Sequence, residues 1–172
     1  PCYFVIFGAT GNLASRKLLP ALYELEVARK LHTDLRFVAF ARRAWTSDDW
    51  LGHLKLSLNR HLGKEGEAAV FERFAQRFDY VAGDLTDPQA YRRLLDELSK
   101  PRLGTCENIA FYLAIKPSDF LGVIENLDRI GIRRAHGRHR TVVEKPFGED
   151  LESARELNAR LHQHLDEEQT FR

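Results

Sequence analysis

The stretch Phe4-Val5-Ile6-Phe7-Gly8-Ala9-Thr10-Gly11-Asn12-Leu13-Ala14 constrains the fold of this chain more than any other. Its first four residues are apolar and partly β-branched, which predicts a buried strand. Gly8 ends the run, Gly11 follows three residues later, and a helical pattern opens at Leu13. Strand, glycine turn and helix in that order present backbone N–H groups and a helix N-terminus to a phosphate. Each small residue has its own steric task. Gly8 permits the tight turn off the strand, Gly11 admits a pyrophosphate close to the backbone, and Ala14 lets the helix lie near the sheet. Ala14 takes the alanine option of the third glycine position, and the first spacing is one residue wider than the common form. A strand–turn–helix without a ligand shows the same local pattern, so other segments must decide.

Downstream, the alternation repeats. Leu18, Leu19, Leu22, Leu25 and Ala28 share a helical face ending near Lys30, with Pro20 in an early turn or at a kink. Leu35 to Ala41 predicts a second strand, closed by Arg42-Arg43. Thr46 to Asp49 can cap a helix running to about His61, and Glu67 to Arg77 predicts another. Val70, Phe71, Phe74 and Phe78 form a core stripe there. Phe78 to Ala82 is a third strand, and Asp87-Pro88 opens a helix reaching Ser99. Asn108 to Ile115 is the fourth strand, followed by a helix capped by Ser118 and stopped at Gly131. Arg133 to Arg140 reads as a basic loop, Thr141 to Glu144 as a fifth strand, and Glu149 to His164 as the closing helix.

Five strands alternating with helices predict a doubly wound parallel sheet with helices on both faces, a Rossmann-like α/β domain over residues 1–172. Ligands in this class sit at the carboxyl ends of the strands. That rule confines the search to Gly8–Leu13, Arg42-Arg43, Asp84-Leu85, Lys116-Pro117 and Lys145-Pro146.

Charge excludes some partners. With 26 basic and 25 acidic residues the net charge is +1, which gives no global reason to expect nucleic acid or a membrane surface. No stretch approaches the roughly 20 apolar residues of a membrane-spanning helix. Cys2 and Cys106 are sparse and far apart, which points to a reducing compartment, the cytoplasm. The chain has no Met and begins at Pro1 just before a strand, so it reads as a piece of a longer protein.

The end of the second strand indicates which dinucleotide is bound. An NAD-binding fold places Asp or Glu there to accept from the ribose 2′-hydroxyl. This chain has Arg42 and Arg43 instead. A guanidinium can hold an extra 2′-phosphate through paired hydrogen bonds and can stack on adenine, so NADP is the expected coenzyme. At Asp84-Leu85, a carboxylate or backbone carbonyl can accept from the adenine amino group; a plain loop aspartate is the alternative.

Tyr112-x-x-x-Lys116 matches the catalytic pair of short-chain dehydrogenases, which needs one helical turn between the two side chains. Here it lies in an apolar strand-like run before Pro117, and strand spacing separates the pair by roughly 13 Å. Lys145, held extended by Pro146 at the fifth strand's carboxyl end, is placed to meet a substrate phosphate or hydroxyl. His136 with His139, and His162 with His164, read as solvated histidines without metal-ligand company.

Taken together, GATGNLASRKLLPALYEL, the Arg after strand two, YLAIKPSDF and VVEKPFGEDLESA resemble the glucose-6-phosphate dehydrogenase family over essentially the whole chain. EKPFG-x-D-L-x-S-A is the most specific block. The resemblance implies a Rossmann coenzyme domain followed by a larger domain, NADP as oxidant, glucose 6-phosphate as substrate, and dimers or tetramers. By matching positions it implies that Gly8, Ala9, Thr10, Gly11, Asn12 and Leu13 hold the pyrophosphate, and Arg42 the 2′-phosphate. Asp84 and Leu85 would lie near adenine, and Lys145 would contact substrate and the nicotinamide side.

Two positions depart from the family pattern. Asn12 stands where GASGDLA has Asp, and Lys116 replaces the first proline of YLA-x-PP. The family's R-I-D-H-Y-L-G-K-E block would begin at Arg172, the last residue of this chain, and its general-base histidine comes from the later domain. The expectation is therefore NADP binding by residues 1–172 without turnover, and no catalytic residue among them. Two alternatives remain open at this point. An atypical short-chain dehydrogenase requires Tyr112 and Lys116 on a helix, and an NADP-sensing regulator would use the same fold with a protein partner.

Overall fold

The computed structural model describes residues 2–62, 67–100, 108–132, 138–144 and 151–171. Among them, β1 (Cys2–Phe7), β2 (Leu35–Ala41), β3 (Phe78–Ala82), β4 (Asn108–Leu113), β5 (Arg138–Val143) and β6 (Thr170–Phe171) form one sheet. Its order is β3-β2-β1-β4-β5-β6, and every neighbouring pair is parallel. The order reverses at β1, between β2 and β4, which is where a doubly wound sheet opens a crevice. The chain is a Rossmann-like α/β domain.

The strands alternate between two cores because successive side chains point to opposite faces. Val5, Phe7, Val38, Phe40, Phe111 and Leu113 pack against α4 (Pro88–Leu98), α5 (Pro117–Arg129) and α6 (Leu151–Leu161). Ile6, Phe37 and Ala39 pack against α1 (Leu19–Val27), α2 (Ser47–Leu62) and α3 (Ala68–Ala75). Val70, Phe71, Phe74 and Phe78 join this second core, as their spacing predicts, with Phe78 already in β3.

Several boundaries differ from the sequence reading for identifiable reasons. A single π-helical turn, Ala14–Leu18, precedes α1, and the Leu19 N–H donates to Ala14 O across it. Pro20 then falls in the first turn of α1, where its missing N–H costs little. The extra residue of the π turn advances the following face by about 100°. Leu19, Leu22, Tyr23 and Glu26 are therefore buried, while Leu25 is exposed.

The helix stops at Val27 rather than near Lys30. Arg29 takes φ +54°, and the Lys30 N–H donates to Leu25 O at 2.8 Å while the Arg29 N–H donates to Glu26 O at 3.0 Å. This is a Schellman closure with Arg in the position glycine usually fills. α5 begins at Pro117 with Lys116 as its cap, so Ser118 lies inside the helix rather than capping it. Gly131, at φ +72°, does end α5.

β5 starts at Arg138, so the end of the expected basic loop is strand. His139 pairs in register with Ile109 and is 6% exposed; it is a core residue, not a solvated one. β6, which the sequence reading left out, pairs Thr170 with Thr141 and Phe171 with Val142. It has two residues, too few to show a period. No helix among the described residues is long and apolar enough to cross a membrane.

Candidate functional site

Gly8 takes φ +77° as the chain leaves β1, a conformation that side-chain-bearing residues rarely adopt. A Cβ there would lie 2.5 Å from the carbonyl oxygen of Ala114, just past β4. The Gly8 and Ala9 N–H groups both donate to Phe40 O in β2, at 3.0 and 3.2 Å, and Gly11 N–H donates to Gly8 O at 2.8 Å. The turn is thus pinned between the ends of β2 and β4, at the crevice.

The Ser15 N–H donates to Gly11 O at 2.9 Å, which opens the helical hydrogen bonding of this segment. The amides of Asn12, Leu13 and Ala14 precede it, in the first turn where a helix leaves its donors without internal acceptors. Ala14 is fully buried against the sheet, as the close approach requires, and Asn12 is exposed. Backbone donors, a positive helix end and a backbone with no room for a Cβ fit an anionic pyrophosphate.

The loop after β2 carries Arg42 and Arg43, both exposed. Tyr80 in β3 donates its hydroxyl to Arg43 O at 2.7 Å, and the Arg43 guanidinium lies 4.7 Å from the centre of the Trp45 ring. Arg43 is held by this stack. Arg42 makes no hydrogen bond or ion pair to another described residue, and its charge acts on Asp84. No acid stands at the end of β2 to receive a ribose hydroxyl.

Asp84 and Leu85 follow β3. The Gly83 N–H donates to Ala41 O at 2.9 Å, which ties this loop to the one carrying Arg42. A Cβ on Gly83 would lie 2.2 Å from Ala90 Cβ, so glycine is needed for α4 to come this close. Asp84 Oδ1 accepts from Thr86 N–H at 2.9 Å and from the Thr86 hydroxyl at 2.7 Å. Those bonds, with the Arg42 charge behind them, hold its carboxyl below the usual aspartate range. Leu85 O accepts from Tyr91 Oη at 2.8 Å and from Asn126 Nδ2 at 3.3 Å. Both lone pairs of that carbonyl are committed inward, which leaves Asp84 Oδ2 as the open acceptor of the pair.

Tyr112 lies in β4 and Lys116 caps α5, so they do not share a helical turn. The Tyr112 hydroxyl instead donates to the Glu144 carboxylate, just past β5. Burial, then that hydrogen bond and the Glu144 charge, push the phenol well above the ordinary tyrosine range. A tyrosine that keeps its proton this firmly beside a carboxylate is the reverse of an activated one. Lys145 and Pro146 lie outside the described residues, as does His136. His162 pairs with Glu167 at 2.9 Å and His164 with Asp128 at 3.4 Å, and no group of three metal-ligating side chains converges among the described residues.

Three contacts here have no signal in the sequence. Ser15 Oγ meets His53 Nε2 at 3.2 Å across 38 positions, Arg43 stacks on Trp45, and Tyr112 reaches Glu144 across 32. The sheet order makes the first and third pairs neighbours, and the loop after β2 folds Arg43 onto Trp45 two residues along.

Residues 5–172 match the family model of the glucose-6-phosphate dehydrogenase NAD-binding domain. The chain belongs to the glucose-6-phosphate dehydrogenase family. It is 40% identical over 176 residues to glucose-6-phosphate 1-dehydrogenase 2 of Mycobacterium tuberculosis strain H37Rv, covering all of this chain and 34% of that protein. The crystal structure of glucose-6-phosphate 1-dehydrogenase from Mycobacterium avium superposes with a TM-score of 0.86 at 37% identity, over 98% of this chain and 35% of that one. A glucose-6-phosphate dehydrogenase solved in complex with glucose 6-phosphate gives 0.85 at 30% identity, over 99% and 36%. The chain therefore spans about a third of the length of these relatives. Within the family it is the nicotinamide-nucleotide-binding domain. The short-chain dehydrogenase reading is not favoured, because its catalytic pair is split between a strand and a helix cap.

Proposed function

We propose that these residues form the coenzyme-binding half of an NADP-dependent glucose-6-phosphate dehydrogenase. The observation that carries the NADP reading is Arg42: an exposed guanidinium beyond β2, uncommitted among the described residues, where an NAD site would have an acid. In this reading the Gly8–Leu13 turn holds the pyrophosphate, with the Gly8, Ala9 and Gly11 amides spent on the shape of the turn and those of Asn12 and Leu13 left to donate, and Arg42 holds the 2′-phosphate. Asp84 accepts from adenine in preference to Leu85, whose carbonyl is already satisfied. Lys145, which lies outside the described residues, is assigned by the family pattern to the nicotinamide end and the sugar phosphate.

Bound nicotinamide supplies a hydride acceptor for C1 of glucose 6-phosphate, giving the lactone. The chain's own part is positioning. It fixes the dinucleotide across the strand ends, excludes solvent from its buried edge, and offers cationic groups to its phosphates. Removal of the C1 hydroxyl proton needs a base, which this proposal assigns to residues that the relatives carry in their remaining two-thirds. The parent enzyme is read as a cytoplasmic oligomer of two or four copies.

Titration of residues 1–172 with NADP and NAD tests the reading. NADP is expected to bind at least tenfold more tightly, and Arg42→Ala to weaken NADP by about tenfold to a hundredfold while sparing NAD, the range for a lost charge-assisted hydrogen bond. Equal affinities in the unsubstituted chain contradict it. The same preparation is expected not to oxidise glucose 6-phosphate.

A further inference from the structure

His53 sits in α2, half-buried, at the meeting point of the glycine-turn helix and the loop after β2. Its Nε2 lies 3.2 Å from Ser15 Oγ, and its ring centre lies 5.1 Å from Trp45 and 5.9 Å from Trp50. Trp45 carries the Arg43 guanidinium, and Tyr80 packs against both tryptophans while its hydroxyl holds the Arg43 carbonyl. A packed path thus runs from Arg43 through Trp45 and His53 to Ser15. It joins the two segments to which the NADP reading assigns the coenzyme's phosphates.

The charges around His53 are unbalanced. Burial is the main force against a positive imidazole, and Arg43 from the β2 loop and Arg60 from its own helix add to it. Asp49, one turn earlier on α2, is committed to Thr46 through two bonds of 2.9 and 2.8 Å. Ser15, Trp45 and Trp50, which contact the ring, and Tyr80 behind the two tryptophans carry no charge near neutral pH. Among the described residues no carboxylate pairs with His53. What this corner lacks is an anion.

We propose that His53 is a positioning residue that links recognition of the coenzyme 2′-phosphate to the uptake of one proton. The inference rests on the NADP reading above. In the free protein burial and the two arginines favour the neutral imidazole, to whose Nε2 the Ser15 hydroxyl can donate. A 2′-phosphate dianion on Arg42, the residue next to Arg43, brings negative charge to this corner and offsets part of what disfavours the imidazolium. His53 then takes a proton from solvent, Nε2–H donates to Ser15 Oγ, and the Ser15 proton is freed to turn toward a phosphate oxygen. NAD has no 2′-phosphate, so it leaves His53 neutral.

Calorimetric titrations of NADP and NAD in buffers of different ionisation heat, between about pH 6 and pH 8, count the protons that accompany binding. The 2′-phosphate, with its own second pKa near 6, releases protons when bound as a dianion, so it moves the count the opposite way. Uptake with NADP is expected to exceed that of His53→Gln, with no difference for NAD. The NADP-to-NAD affinity ratio is expected to rise more steeply on acidification than in His53→Gln, by up to about tenfold per pH unit, the limit for one linked proton. Ser15→Ala keeps the imidazole, breaks the relay, and is expected to reduce that slope. If His53→Gln does not fold, Ser15→Ala decides, and a slope equal to that of the unsubstituted chain overturns the inference. Identical proton counts in the two proteins, or the same excess with NAD, also overturn it. A clear NADP preference without proton linkage removes this inference alone, whereas no binding of either nucleotide removes the NADP reading and this inference with it.

Discussion

Arg77 Nε donates to Glu26 Oε2 at 2.8 Å, joining the loop before β3 to the last turn of α1. The Glu26 side chain is 3% exposed, and its other oxygen accepts from Arg73 of α3. Arg77 also donates through Nη1 to the carbonyls of His32, Thr33 and Leu35 at 2.9, 3.2 and 3.1 Å. One carboxylate therefore ties α1, α3 and the entry to β2 together. The Glu26→Ala variant leaves two guanidinium groups without their shared partner. It is expected to lose about 3 kcal/mol, seen as a thermal midpoint roughly 6–12 °C lower by circular dichroism. A loss below about 0.5 kcal/mol would show that the pair adds nothing to the fold.

Two glycines should respond in opposite ways to the same change. Gly8→Ala demands a left-handed conformation of alanine and drives its methyl into Ala114 O, so it should lower stability by more than about 1 kcal/mol. It should also abolish nucleotide binding. Gly52 lies inside α2 with open space where its Cβ would be, so Gly52→Ala should stabilise by about 0.5–1 kcal/mol. Chemical denaturation of both variants, with coenzyme titration alongside, checks the contrast.

Asp84 should make part of the stability acid-sensitive. Its folded carboxyl titrates below the usual aspartate range, mainly through the Thr86 N–H and hydroxyl. The charged form is thus favoured by folding. Its contribution is present above the unfolded aspartate pKa, near 3.9, and is lost as pH falls through the lower folded value. Asp84→Asn should therefore be less stable than the unsubstituted chain at about pH 6 and approach it below about pH 3. A constant gap across that range would contradict the assignment.

Tyr91 and Tyr112 set the alkaline limit. Burial raises both phenols far above the ordinary value, and at Tyr112 the Glu144 carboxylate adds to it. The unfolded chain loses these protons near pH 10 and the folded chain holds them longer, so stability is complete below about pH 10 and falls as pH rises beyond it. Glu144→Gln should lower the Tyr112 pKa, and tyrosinate absorbance should then appear earlier in a pH titration. An unchanged absorbance curve would show that Glu144 does not act on Tyr112.

How far the sequence could be read depended on range. The Gly8–Ala14 turn, the Asp87-Pro88 cap and the stop at Gly131 were legible because each is a backbone requirement met within a few residues. The core stripe through Phe74 was legible for the same reason. The face of α1 was not. One π turn, whose cause is not in the pattern, moved Glu26 inside and Leu25 outside. Arg138-His139-Arg140 read as loop because its charges dominate, yet alternation in β5 buries only the histidine between them. At the candidate site, Arg42 was legible by its place after a strand. The inward commitment of the Leu85 carbonyl to Tyr91 and Asn126 was not.

By itself the sequence determined the parallel α/β class, the glycine turn after β1 and the guanidinium beyond β2, since periodicity, glycine spacing and the identity of one residue are all local quantities. The tertiary structure decided which segments share the crevice. The order β3-β2-β1-β4-β5-β6 carries Gly83 to Ala41, Ala114 to Gly8, and Glu144 to Tyr112. Those neighbours depend on how strands tens of residues apart pair and bury their faces, a global packing energy that no short window of sequence contains.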